Sequence, residues 1–124
     1  MKFGKRVDDG IRFLDGEYPD WISRVDLSTL NIGTEGDCLA CQITGCGDFD
    51  SARITMGLSV QDSIDYGMFL RGNLKNKGLH EDYRSLTGLW KSKIQARLDV
   101  ENLLSQIRRE PMTAIIEESE LVAV

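Results

Sequence analysis

Apolar positions recur along this chain at the spacing of a helix rather than of a strand. Val7, Ile11 and Leu14 fall at i, i+4 and i+7 and mark one face of a first helix that Gly16 can end. Pro19-Asp20-Trp21 starts a short second turn, with proline suited to a first helical position and Trp21, Ile22 and Val25 offering apolar area to a core. Residues 26–33, with Leu30 and Ile32 two apart, fit a capped turn or an extended connection. A third helix from about Asp37 to Thr44, capped by Asp37, buries Leu39, Ala40 and Ile43 and breaks at Gly45-Cys46-Gly47. Asp50 can then cap a turn through Ile54 and Met56. Ser59-Val60-Gln61-Asp62 has the form of a capping box, ahead of a helix with Val60 and Ile64 on one face that stops near Gly67.

The clearest pattern follows a polar loop at 71–79. Tyr83, Leu86, Leu89, Trp90, Ile94 and Leu98 stand at helical spacing, and Val100, Leu103, Leu104 and Ile107 carry it on. This reads as one long helix, or as two joined at Asp99, with Arg108-Arg109 at its C-terminal dipole and Glu110-Pro111 as its end. The expected architecture is mainly α: a small single-domain bundle of short helices plus one long C-terminal helix. Residues 1–111 form the helical domain, and 112–124 an apolar and acidic tail, docked or loose, with room for a short strand.

Length and composition agree with one core. A chain of 124 residues, 41% hydrophobic and 28% charged, can bury a single hydrophobic core. No apolar run approaches the 18 or so residues of a membrane helix, and Met1-Lys2-Phe3-Gly4-Lys5 opens no signal-peptide core, so the expected location is cytoplasmic, away from membranes. The net charge of -5 disfavours binding to phosphate polymers. It hides a pattern, because residues 71–109 carry 9 Lys/Arg against 4 Asp/Glu between two acidic segments.

Cys38, Cys41 and Cys46 lie within nine residues and read as reduced thiols. Three readings stay open for them. They can be small packing groups, the reading favoured here because free cysteine is often buried. They can supply three thiolates of a zinc or iron–sulfur site, which His80, the single imidazole, can complete for zinc, although zinc modules usually present a second close ligand pair. Cys38 and Cys41, one helical turn apart, also have the spacing of a dithiol redox pair. His80 alone fits a cap or a hydrogen-bonded residue at a helix start. One histidine excludes any site built on two imidazoles, Gly67-x4-Gly72 is followed by Asn73 rather than Lys, and Asp48-Phe49-Asp50 lacks the rest of a calcium loop. No enzyme and no cofactor is expected.

Gly10-x3-Leu14-Asp15, Pro19-x-Trp21, Val25-Asp26-Leu27-x2-Leu30, Cys38-Leu39-x2-Gln42, Met56-Gly57-Leu58 and Leu86-Thr87-x2-Trp90, in this order and spacing, resemble a family of small uncharacterised proteins from phages of actinobacteria. The resemblance runs through roughly residues 7–98. It implies a phage protein acting inside a bacterial host, and it implies no catalytic residue. The family has cysteine at the Cys38 position but usually glycine at the Cys41 position, which weakens the metal reading.

The expected function is therefore that of a small phage accessory protein that binds a host or phage protein without catalysis. Val100, Leu103, Leu104 and Ile107 on the long helix and Leu121 and Val122 in the tail are the expected binding residues, and a homo-oligomer would use the same surfaces. Two alternatives stand beside it. One is the structural zinc module of Cys38, Cys41, Cys46 and His80. The other is nucleic-acid binding through segment 71–109, using Arg71, Lys75, Lys77, Arg84, Lys91, Lys93 and Arg97, and it is disfavoured because these residues do not share one stripe and no aromatic side chains interleave them.

Overall fold

A computed structural model of the chain describes the backbone over residues 3–71 and 77–123 and side chains over 3–71 and 78–107. Its elements are α1 (Gly4–Glu17), a 3-10 turn (Trp21–Arg24), α2 (Leu39–Thr44), α3 (Phe49–Thr55), α4 (Val60–Asp65) and α5 (Lys77–Ala123). The protein is mainly helical, and no strand occurs among the described residues. Packing divides the chain into two compact units, Met1–Ser92 and Lys93–Val124.

Local chemistry explains where the short helices begin and end. Ser59 and Asp62 form the expected reciprocal capping box of α4. The expected caps of the two preceding helices are displaced. α2 is capped by Cys38, whose sulfur accepts from the Cys41 amide, and not by Asp37. α3 is capped by Asp48, which accepts from the Ser51 amide, and not by Asp50. In both cases the capping atom must precede the first helical residue by one position with an extended backbone, as Cys38 and Asp48 do. Gly45 then ends α2 in the left-handed region, at φ 78°.

α5 is one helix. Asp99, the candidate junction, lies inside it, and His80 is its fourth residue rather than a cap. The helix also runs on through Glu110-Pro111, where the pattern suggests a stop, and through the tail, where the sequence leaves room for a short strand. Proline removes one backbone donor and crowds the preceding turn, a cost that lowers helix stability without forbidding the conformation. The side chains of the tail, Leu121 and Val122 among them, lie outside the described residues, and so does the docking expected of it. Lys75 and the side chain of Lys77 lie outside them as well.

In the first unit, short helices and irregular connections are gathered around the start of α5. Val7 and Leu14 of α1, Leu39, Ala40 and Ile43 of α2, and Tyr83, Leu86 and Trp90 of α5 are buried. Trp21 and Trp90 meet edge to face, with ring centroids 6.1 Å apart. The connections carry backbone groups that no helix satisfies, and α5 satisfies several of them. Trp90 donates its indole N–H to the Gly67 carbonyl at 2.7 Å. The Tyr83 hydroxyl donates to the Leu70 carbonyl and accepts from the Leu70 amide. Thr87 Oγ1 accepts from the Ile32 amide at 3.0 Å. These three side chains recur at i, i+4 and i+7, so one helical face holds two separate stretches of irregular chain, one through Ile32 and one through Gly67 and Leu70.

Candidate functional site

The second unit carries the expected apolar stripe. Val100, Leu103, Leu104 and Ile107 are 55%, 56%, 43% and 51% exposed. From Asp99 to Ile107 every residue is exposed, so this part of α5 has no covered side. At about 100° per residue the four side chains fall within one band roughly 100° wide. The four, together with Ile54 of α3, are the exposed large apolar side chains among the described residues. Farther back on the same helix, Ile94 is buried and Leu98 half-buried. The apolar periodicity of α5 thus continues past the point where burial ends.

The cysteines separate into a pair and a single thiol. Cys38 and Cys41 are both buried, with the Cys38 thiol donating to the Cys41 sulfur at 2.9 Å. Burial pushes the Cys38 thiol up to about 12, and the Cys41 hydrogen bond adds to the shift. Cys38 is therefore a protonated thiol at neutral pH and not a ready nucleophile. Cys46 lies apart, its sulfur 3.7 Å from the Thr55 hydroxyl. No group of three His, Cys, Asp or Glu side chains with the geometry to hold a metal ion occurs among the described residues. His80 stands on α5 and is not brought to the three cysteines.

Described residues of the first unit line at least two clefts. One, of about 650 Å³, has apolar walls that include Ile32, Val60 and the stacked rings of Phe49 and Phe69, 4.7 Å apart. Cys38 lines it, with Glu35 and Asp50 also at its wall. Another, of about 530 Å³, lies between the 30–34 connection and α5, and His80, Arg84 and Lys91 line it. It was not legible in the sequence, because one of its walls comes from a connection with no periodicity.

The basic segment splits up in the same geometry. Arg84 and Lys91 share a helix face, whereas Lys93 and Arg97 fall on the opposite side at about 100° per residue. Arg71 donates to the side chain of Gln61. No continuous phosphate-tracking face is formed by the described members of the set. Comparison with known protein families, curated proteins and solved structures finds no match for this chain. No helix among the described residues is long and apolar enough to cross a membrane.

Proposed function

We propose that this protein works by binding another protein through the exposed apolar face of α5, without chemistry of its own, and that the partner presents an amphipathic helix. The exposure of Val100, Leu103, Leu104 and Ile107 on one helical band carries this reading. Apolar side chains at i, i+3, i+4 and i+7 are the spacing by which two helices interlock, and covering each half-exposed aliphatic side chain is worth on the order of 1–2 kcal/mol. A helix that hides nothing over nine residues has little reason to hold such a stripe for its own folding. In the setting implied by the likeness to actinobacterial phage proteins, the partner is a host or phage protein in the bacterial cytoplasm.

The test compares the chain with a Leu103→Lys/Leu104→Lys variant. Both should melt at the same temperature, because the substituted side chains are exposed. The unmodified chain should retain a stoichiometric partner from host cells that the variant loses. If instead the pure protein is a dimer and the variant a monomer, the face closes on a second copy and the hetero-partner reading gives way. A monomer whose partners are the same with and without the stripe would refute both.

A further inference from the structure

Gly88 lies well inside α5, where glycine is the least favourable residue after proline. Packing does not explain it, since a Cβ built at Gly88 meets nothing within 4 Å. The contrast with Gly33 across the same cleft is informative, because a Cβ there would press on the Tyr83 ring at 3.1 Å. Gly33 lets the connection approach the helix, whereas Gly88 leaves open the floor of the cleft.

That floor is flanked by cations. Arg84 precedes Gly88 by one turn and Lys91 follows it by less than one, so about 6 Å and 4.5 Å of helix separate them from the glycine. Both line the cleft with His80, and no acidic side chain is among its described lining residues, although Glu81 and Asp82 stand nearby in sequence. The side chains of Arg84, Lys91 and His80 make no hydrogen bond or ion pair with other described residues. The opposite wall adds the Thr34 hydroxyl. Thr87 accepts from the Ile32 amide, which leaves its own proton free to donate toward the cleft.

We infer that the cleft between the 30–34 connection and α5 binds a small organic phosphate, with its phosphate group seated over Gly88 between Arg84 and Lys91. A guanidinium fork, an ammonium and two hydroxyls offer more donors than a carboxylate accepts and suit the three terminal oxygens of a phosphate monoester. Unpaired cations on one side of a helix, with no acid between them, repel each other until an anion arrives. The volume of about 530 Å³ exceeds that of bare phosphate and lies in the range of small-molecule sites, leaving room for an organic remainder against Leu30 and the Tyr83 ring. This site is separate from the apolar stripe and stands or falls without it.

Calorimetric titration of the full chain at low ionic strength tests the inference, with adenosine monophosphate, inorganic phosphate and uncharged adenosine as probes. The monophosphate should bind, phosphate should compete with it, and adenosine should not bind. Gly88→Leu fills the floor and should weaken the monophosphate at least 10-fold while its melting temperature holds or rises, which separates loss of the site from loss of the fold. Arg84→Gln and Lys91→Gln should each weaken it about 10-fold. Unchanged affinity in Gly88→Leu, or no binding of either phosphate, overturns the inference. Tighter binding of a single-stranded oligonucleotide, lost steeply as salt is raised, overturns it in favour of a nucleic-acid surface.

Discussion

Two glycines of the same helix show how much a single methyl group can decide. A Cβ at Gly10 would run into the Tyr66 carbonyl and come within 3.0 Å of the Trp90 ring, whereas a Cβ at Gly16 meets nothing. Both lie in α1, so both would gain up to about 1 kcal/mol of helix propensity from alanine. At Gly10 the clash wins, because neither a backbone carbonyl nor a buried indole can step aside. Gly10→Ala should lower the stability by about 1–3 kcal/mol in urea denaturation, and Gly16→Ala should leave it unchanged or raise it slightly. A Gly10→Ala midpoint equal to the parent would mean that α1 slides freely on α4. Cys38 gives a second prediction. Its thiol holds its proton more tightly when folded, with the pKa pushed from 9.0 to about 12, so the folded state binds more protons than the unfolded state across that window. Stability is full below about 9 and falls as pH rises toward about 12. Tyr83, raised chiefly by burial, acts in the same direction. Melting temperatures in reductant should therefore decline above pH ~9, and less steeply for Cys38→Ala.

At the level of elements, α5 acts as a post to which poorly regular chain is tied. Thr87 bonds to the backbone of the connection ahead of α2, Tyr83 and Trp90 bond to that of the connection after α4, and Trp90 is also fully buried. Trp90→Ala removes a large ring from the core and leaves the Gly67 carbonyl without its donor. The expected cost is ~3–5 kcal/mol, enough to unfold a marginal domain. Trp90→Phe separates the two contributions, because it keeps most of the apolar volume and loses the hydrogen bond. It should cost clearly less than alanine in the same denaturation experiment, and equal losses would mean that the bond, not the ring, holds the element.

Across the whole molecule, stability is unevenly spread along one continuous helix. Tyr83, Leu86, Trp90 and Ile94 are buried, whereas all residues from Asp99 to Ile107 are exposed. Local opening follows the number of buried apolar contacts that hold a segment. Amide hydrogens over 83–92 should exchange at rates near those of global unfolding, and those over 99–107 many-fold faster. Engagement of the apolar stripe by a partner should slow the second group selectively. Equal protection of both groups in the isolated chain would show that the stripe is already covered.

Periodicity alone determined that the protein is mainly α, that a long helix carries Tyr83 through Ile107 and that Trp90 lies in its buried face, because burying one side of a helix imposes a 3.6-residue repeat on the sequence; the start at Lys77, inside the expected 71–79 loop, was not legible. The capping box at Ser59 and Asp62 was equally legible, since its chemistry is complete within four residues. Which residue capped α2 and α3 was not, because several polar or sulfur-bearing neighbours compete and the path of the incoming chain chooses among them. The site residues divide in the same way. The apolar stripe could be named from spacing, but only the tertiary structure decided that it is uncovered, since an exposed and a buried helical face carry the same pattern. The separation of His80 from the cysteines, and the cleft over Gly88, depend on where a connection without periodicity meets a helix some fifty residues farther along, and no local pattern encodes that meeting.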